Sequence, residues 1–360
     1  MTLKNRGALS NPESRFEIKT HEIYDDGWQS INEDDEPLPA LETILYPERA
    51  KSIITRNDSP DLGFEQSINP YRGCEHGCIY CYARPAHSYV NLSPGIDFET
   101  KIFYKENPAT LLEKELSKPK YICKTIMIGA NTDPYQPAEN KLKVTRSILE
   151  VLHRYNHPVA IISKNSLIER DIDLLADMAK KRLVSVAISI TTLDINLKRT
   201  LEPRTSTPKA RLRVIRQLRD AGIPVRVMAA PMIPMINDKE LEKILEQAAE
   251  AGAKQASYVL IRLPHEVKDL FKEWLHTHYP DRADHVMSLI KQMRGGKEYD
   301  ATFGKRMRGE GQFAELIAMR FKIACRRFQL NITPSKGLDT EQFRPPSPQN
   351  QMDLWGWGQA

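Results

Sequence analysis

The sequence has few cysteines and no long apolar run, and each absence excludes a class of protein. Five cysteines in 360 residues are too few, and odd in number, for a disulfide framework, so the composition favours a reducing cytoplasm. No eighteen consecutive residues are apolar, so we expect no transmembrane helix and no membrane partner. The first twenty residues, MTLKNRGALSNPESRFEIKT, lack the apolar segment of a secretory signal.

A strong net charge, internal repeats and a dinucleotide motif are also missing. The chain has 52 basic and 47 acidic residues, a net charge of +5, which by itself indicates no polyanionic partner. The lack of a repeat at a fixed period excludes solenoid arrays. No G-x-G-x-x-G follows the first predicted strand, which weakens a dinucleotide-binding interpretation. What remains is an ordinary globular composition, with a chain long enough to bury a core without cross-links.

Strand and helix patterns alternate from about residue 67 to 265. Short β-branched runs predict strands at 124–130, 158–163, 183–190, 223–233 and 256–263. Apolar residues spaced three and four apart predict helices at 141–155, 166–182, 208–222 and 238–252. With a short strand just before Cys74, this gives about six βα units and predicts parallel strands with crossover helices. Six units suit either an open doubly wound sheet or an incomplete barrel, since a complete barrel has eight.

The flanking segments have different patterns. Residues 1–60 carry acidic clusters and prolines without periodicity, which predicts an extended N-terminal arm before a core at 61–265. Residues 266–343 are predicted to form a C-terminal helical region, with helical patterns at 284–296 and 311–330, and residues 344–360 a flexible tail. The basic and aromatic residues of 304–328 suit either a nucleic-acid backbone or a helix with a solvated basic face.

The sequence GCEHGCIYCY, residues 73–82, concentrates three of the five cysteines, Cys74, Cys78 and Cys81. Thiolates bind zinc and iron–sulfur clusters. A structural zinc would need a fourth ligand, for which His76 and His87 are the nearest candidates, and a redox C-x-x-C would leave Cys74 without a role. Three thiolates at the end of a first strand favour a [4Fe–4S] cluster with one iron open to another ligand, at the edge where parallel α/β folds build active sites. Cys123 and Cys325 are expected to be buried as small hydrophobes.

The motif C-x3-C-x2-C with an aromatic, Tyr80, before its third cysteine resembles the radical S-adenosylmethionine (SAM) enzymes. NPYRGCEHGCIYCYARP, GANTDPYQPAE, IISKNSLI and LEPRTSTPKARL are similar to the spore photoproduct lyase branch. This resemblance covers about residues 65–265 and implies a partial (β/α)6 TIM-type barrel with an N-terminal extension and C-terminal helices. It also implies a [4Fe–4S] cluster on the three cysteines, SAM as co-substrate, and an electron donor such as flavodoxin or ferredoxin. The lyase branch has a cysteine hydrogen donor after the second strand, where this chain has Ala130, which argues against the lyase reaction itself.

The same resemblance implies contacts to SAM. The expected residues are Tyr80 at the adenine, Asn131, Thr132 and Asp133 at the methionine ammonium, Lys164 and Ser189 at the carboxylate or ribose, Glu202 and Arg204 as further polar contacts, and residues 228–234 in the adenine pocket. Each has an ordinary structural alternative: a packed loop aromatic, a turn with a helix cap, a small strand residue or a surface arginine.

Two functions follow. The first is a radical SAM enzyme that cleaves SAM reductively and abstracts hydrogen from an unknown substrate, nucleic acid being one candidate. The alternative is a nucleic-acid-binding module with a structural metal site and no radical chemistry.

Overall fold

The computed structural model of the chain describes residues 6–16, 41–334 and 337–346. Its strands are β1 Ile44–Glu48, β2 Ile54–Arg56, β3 Gln66–Ile68, β4 Tyr71–Arg72, β5 Lys101–Lys105, β6 Ile126–Ile128, β7 Val159–Ser163, β8 Val184–Ser189, β9 Val225–Met232 and β10 Gln255–Leu260. Its α-helices are α1 Asp97–Thr100, α2 Pro108–Leu116, α3 Pro137–Leu142, α4 Val144–Arg154, α5 Ile172–Lys180, α6 Ile195–Leu201, α7 Pro208–Asp220, α8 Leu241–Ala251, α9 Val267–His278, α10 Ala283–Gln292 and α11 Gly311–Arg327. Four 3₁₀-helices span Arg84–Val90, Ser166–Asp171, Asp238–Glu240 and Pro280–Arg282.

Six parallel strands form the centre of the fold. The larger sheet has the order β10-β9-β8-β7-β6-β3-β2, in which β3 and β6 to β10 pair in parallel and β2 joins β3 antiparallel. Helices connect most of the parallel strands, as crossover connections require. Within the described ranges, β2 and β10 are the two edges of this sheet and do not pair with each other. The prediction of a partial barrel with six βα units is confirmed.

Side chains alternate along the parallel strands and leave space inside the barrel. In β7 the alternate residues Ala160 and Ile162 line the interior cavity, whereas the buried Val159 does not. In β8 the small residues Ser185 and Ala187 line the interior in the same way. A closed TIM barrel fills its interior with branched side chains. Here small side chains at these positions leave an open cavity.

Two predicted helices begin differently from the sequence pattern. The pattern at 141–155 is interrupted at Lys143, which has φ of 54° and separates α3 from α4. The buried Glu139 carboxylate accepts hydrogen bonds from the backbone N–H of Thr145 (2.9 Å) and of Arg146 (3.2 Å) and so satisfies the first turn of α4. The pattern at 166–182 starts as a 3₁₀-helix and becomes α-helical at Ile172.

A small second sheet and the N-terminal segment lie beside the barrel. β5 pairs parallel with β1 and antiparallel with β4. The strands β1 and β2 lie within the segment that the sequence assigned to an extended arm, and residues 6–8 are buried against Glu99. Residues 1–5 and 17–40 of that arm, and 347–360 of the predicted tail, lie outside the described residues.

C-terminal to the barrel, helices α9 to α11 pack on the core. α9 lies in the region 266–343 that was predicted to be helical, although no separate helix was predicted there; its Trp274 is fully buried and donates its indole N–H to the Thr200 carbonyl at 3.0 Å. The segment after α10 runs beside the last strand, where the Leu260 N–H donates to the Met307 carbonyl at 3.0 Å. None of the described helices has the length and apolar character needed to cross a membrane.

Candidate functional site

A cavity of about 1250 Å³ occupies the interior of the partial barrel. All three clustered cysteines line this cavity together with Tyr80 and the residues that follow β6 and β7. The parallel strands place their carboxyl ends on this side, which is the usual site of chemistry in parallel α/β folds. The cavity therefore joins the cysteine motif to the polar loops that the sequence singled out.

Residues 73–82, here called the cluster loop, make two tight turns. The Gly77 N–H donates to the Cys74 carbonyl at 3.4 Å, and the Cys81 N–H donates to the Cys78 carbonyl at 3.1 Å. Gly73 precedes the first turn with φ of 82°, and a Cβ there would lie 2.8 Å from an atom of the His87 ring. Left-handed backbone without room for a side chain requires glycine. The turns bring three cysteines within eight residues onto one cavity wall.

An ion pair without solvent exposure supports the rear of the cluster loop. Arg84 and Glu99 are both 0% exposed, and their side chains form a salt bridge. Arg84 also donates to the Cys78 carbonyl at 3.0 Å, and Glu99 accepts from the N–H groups of Gly7 at 2.9 Å and Ala8 at 2.8 Å. A buried pair persists when further hydrogen bonds satisfy both groups. The loop is thereby fixed from behind by two segments distant in sequence.

The three thiols of the cluster loop have raised pKa values. Burial is the main cause for each, and it raises the pKa of Cys78 to about 12, with the nearby Glu202 carboxylate adding to the effect. All five cysteines of the chain are free thiols. A metal centre that binds these thiols must displace their protons. Three sulfur donors from one loop fit an iron–sulfur cluster, which thiolates ligate through separate irons.

The two histidines considered as zinc ligands are used elsewhere. His76 is buried, its Nδ1 lies 3.4 Å from Asp133 Oδ2, and its Nε2 lies 3.0 Å from the Asn165 amide nitrogen. Burial lowers the pKa of His76, so the ring is neutral at pH 7. His87 does not line the cavity, and its Nε2 bonds the Lys101 carbonyl at 2.9 Å. In the part of the chain that the structure describes, no group of three or more His, Cys, Asp or Glu side chains has an arrangement that could hold a single metal ion, whereas a cluster takes one thiolate on each of several irons.

Glu202 connects the cluster loop to the strand ends. Its fully buried carboxylate accepts from the Tyr80 hydroxyl at 2.6 Å and from the Thr191 hydroxyl at 3.2 Å. The Arg211 guanidinium donates to its other oxygen at 2.6 Å, and the Lys164 ammonium lies 3.5 Å away. Burial by itself raises the pKa of Glu202, but the charges of Arg211 and Lys164 and these hydrogen bonds lower it to about 2. The carboxylate is therefore ionised and orients Tyr80.

Lys164 follows β7 and extends its ammonium group along the same wall. Its Nζ donates to the Thr191 hydroxyl at 3.1 Å and to the Ala230 carbonyl at 3.2 Å, and lies 5.4 Å from the centre of the Tyr80 ring. An ammonium has three donors. Glu202, a hydroxyl, a carbonyl and an aromatic face surround it, so a cation is held beside the cluster loop.

Asp133 has a carboxylate with four partners in the loop after β6. It accepts from the Ser163 hydroxyl at 2.8 Å, from the backbone N–H of Tyr135 at 2.9 Å and from the backbone N–H of Lys164 at 2.7 Å. The His76 ring is its fourth neighbour. This carboxylate joins the loops after β3, β6 and β7.

The structure separates the remaining candidates into two groups. Asn131 and Ser189 line the cavity with Tyr80, Asp133 and Lys164. Thr132 does not line it, because its hydroxyl donates to the Tyr71 carbonyl at 2.9 Å.

Arg204 also lies outside the cavity lining and donates to Glu75 at 3.0 Å. Arg211, which is buried and bound to Glu202, was not among the predicted site residues. An arginine inside a helix pattern carries no signal for burial, so only the tertiary contact identifies it. Cys123 and Cys325 do not line the cavity either.

Three of the seven basic residues of 304–328, namely Lys305, Arg306 and Arg320, form ion pairs within the fold. Arg320 forms two hydrogen bonds of 2.6 and 2.7 Å with Glu242, and Lys305 lies 2.7 Å from Glu310. The other four form no salt bridge among the described residues, and nucleic-acid binding by this segment stays a prediction.

A family model and several known proteins are similar to this chain in sequence. The family model described as Radical SAM superfamily matches residues 68–248. An uncharacterized protein of Mycobacterium tuberculosis is 37% identical over 258 residues, which are 71% of this chain and 76% of that protein. An uncharacterized protein of Methanocaldococcus jannaschii is 28% identical over 233 residues, 65% of this chain and 83% of that protein.

Among solved structures, spore photoproduct lyase complexed with dinucleoside spore photoproduct matches with a TM-score of 0.55 and 16% identity. The match covers 79% of each chain. At this identity the similarity shows the fold.

Proposed function

The chain belongs to the radical SAM superfamily, and on that premise we propose that it holds a [4Fe–4S] cluster on Cys74, Cys78 and Cys81 and cleaves SAM reductively. The superfamily implies SAM and an iron–sulfur cluster, and the chain is a radical SAM enzyme whose overall reaction is unassigned. The observation that carries the proposal is that three thiols of one loop, those of Cys74 and Cys78 buried and that of Cys81 half-buried, line a single cavity with a hydrogen-bonded polar wall.

The chemistry that we propose for this site is the reductive cleavage of SAM. Cys74, Cys78 and Cys81 would hold the cluster, which when bound would supply the one electron for reductive cleavage of SAM to methionine and a 5′-deoxyadenosyl radical able to abstract hydrogen from the substrate. The reducing electron comes from a separate donor protein, for which flavodoxin and ferredoxin are our candidates. The remaining roles in this proposal, which are to bind and orient SAM, fall to the side chains of the cavity wall.

The cavity wall offers groups of the right chemistry for each part of SAM. Asp133 and Asn131 supply oxygen acceptors for the methionine ammonium. Lys164 supplies a cation for the carboxylate or a donor for the ribose, and Ser189 supplies a hydroxyl. The Tyr80 ring, held through its hydroxyl by a buried carboxylate, supplies an aromatic surface for the adenine.

Thr132 and Arg204 take supporting positions in this proposal. Thr132 fixes the loop after β6 to the Tyr71 carbonyl. Arg204 pairs with Glu75 and donates its backbone N–H to the His76 carbonyl at 3.2 Å, so it holds the cluster loop from outside the cavity. We expect both to act on SAM only through the loops that they position.

Anaerobic reconstitution with a matched cysteine pair tests the proposal. The wild-type protein should bind about four irons per chain and release 5′-deoxyadenosine from SAM after reduction. Cys78→Ala should lose both the iron and the cleavage, because one of three ligands is gone. Cys123→Ala, which removes a thiol outside the cavity, should retain both. A colourless wild-type protein with one zinc, or SAM cleavage by Cys78→Ala, would refute the proposal.

A further inference from the structure

One arginine of the cavity wall has no role in the proposed SAM site. Arg262 follows β10 and lines the cavity near the cluster loop. Its guanidinium lies 4.9 Å from the centre of the Tyr82 ring, and the Tyr82 hydroxyl is bound to the Ala130 carbonyl. Stacking on an anchored aromatic ring fixes the plane of a guanidinium and leaves its edge free to donate.

The N–H donors of Arg262 have only long hydrogen-bond contacts or none. Its terminal nitrogens contact the Met307 sulfur and the Tyr299 hydroxyl, each at 3.5 Å, and its Nε is buried without a partner. No carboxylate within the described ranges forms a salt bridge with it, whereas Arg211 contacts a carboxylate at 2.6 Å. Buried donors without partners are costly and are rare in native structures.

The surroundings of Arg262 are positively charged. Arg306 lies in the same cavity wall and forms a two-point salt bridge with Asp61. Arg294 is buried, and burial together with the charge of Arg262 lowers its pKa, while Asp300 opposes the shift. Asp61 neutralises Arg306, but Arg262 has no ion-pair partner among the described residues, so this part of the wall carries an unpaired positive charge. Such a site suits an anion with several acceptor oxygens.

We propose that Arg262, stacked on Tyr82, forms an anion subsite that binds a phosphate group of the substrate within the cavity. The proposal rests on the proposed function only in naming this ligand as substrate, because the subsite lies beside the wall assigned to SAM. A phosphate offers the paired oxygens that the free guanidinium edge matches, and its charge offsets the unpaired arginine.

Phosphate binding tests the subsite independently of radical chemistry. Inorganic phosphate is titrated calorimetrically into the purified protein, both before and after cluster reconstitution, at constant ionic strength and without SAM or reductant. We expect Arg262→Gln to weaken phosphate binding at least tenfold, and Arg262→Lys to weaken it less, because the charge stays while the fork and the stacking are lost. The control is Arg226→Gln, which removes another cavity arginine at the start of β9 and should bind phosphate like the wild type.

A second arm distinguishes the sources of the phosphate. If it belongs to a nucleic acid, a short single-stranded oligonucleotide should bind more tightly than inorganic phosphate, and Arg262→Gln should weaken both. If it belongs to a small phosphate ester, the oligonucleotide should bind no more tightly. Wild-type protein that binds neither probe, or equal losses in Arg262→Gln and Arg226→Gln, would overturn the subsite. Because no step needs SAM cleavage, failure of the proposed function would show only in the reconstitution experiment.

Discussion

Replacing Arg211 with leucine should destabilise the protein far more than the same change two residues later. Arg211 is 1% exposed in its side chain and donates to Glu202, to the Thr205 hydroxyl and to the carbonyls of Ser189 and Ser206, at 2.6 to 2.9 Å. Arg211→Leu leaves the buried Glu202 carboxylate without its closest cation. Breaking such a pair from one side costs about 3–5 kcal/mol of the free energy of unfolding.

Arg213 provides the matched control on the same helix. It pairs with Glu169 at 2.9 and 3.0 Å, but its side chain is 52% exposed. Exposed pairs contribute about 0.2–1 kcal/mol, so Arg213→Leu should cost no more than that. Urea unfolding followed by circular dichroism gives both free energies by linear extrapolation, with the slopes compared as a check.

A double variant separates the unpaired charge from the lost packing. Adding Glu202→Gln to Arg211→Leu removes the carboxylate that has lost its closest cation and should recover at least about 1 kcal/mol of the loss. The reasoning is refuted if Arg211→Leu costs no more than Arg213→Leu. It is also refuted if Glu202→Gln lowers the stability of the Arg211→Leu background by as much as it lowers that of the wild type.

Two further predictions concern the cluster loop and pH. Gly73→Ala should abolish iron loading on reconstitution, because a Cβ cannot fit at that left-handed position; iron content equal to wild type would contradict this. Burial lowers the pKa of both His87 and His157 from 6.5 to about 4, so each stays neutral when folded and protonates more readily when unfolded. The free energy of unfolding therefore has its full value, as far as these two histidines are concerned, above pH 6.5. It decreases as pH falls toward 4, by about 3 kcal/mol for each histidine at most. Thermal unfolding midpoints should therefore fall through this range, and a flat profile would be inconsistent with buried neutral histidines.

The barrel could be predicted from sequence because its signal is local. Strands such as β7 and β8 carry β-branched runs, and the helices between them carry a period near 3.6, so the six βα units appeared without any tertiary information. The second sheet was not predicted, because β1, β4 and β5 are short and do not alternate cleanly between apolar and polar residues. The pattern at 141–155 missed the interruption at Lys143, because that interruption depends on the Glu139 carboxylate capping the next helix.

The candidate site, like the fold, could be predicted only in part from the sequence. The cysteine spacing is a contiguous motif, and the three cysteines do lie on one cavity wall. The partner of Tyr80 comes from more than a hundred residues away, and Arg211 approaches Glu202 only after the chain has folded. Arg204, which was the arginine predicted from the sequence, lies outside the cavity lining and pairs with Glu75. Sequence spacing alone does not say which of two nearby arginines points inward.

The N-terminal segment has a consequence for the lifetime of the proposed cluster in air. Residues 6–8 pack so closely on the cluster loop that a Cβ on Gly7 would lie 1.7 Å from the Gly77 carbonyl oxygen. The family match begins only at residue 68. A fragment trimmed to that match would lose the amides that cover Glu99 and would open the rear of the loop to water and dissolved oxygen. The proposed cluster of the full chain would thus depend for its protection from oxidation on residues 6–8, which lie outside the cysteine motif.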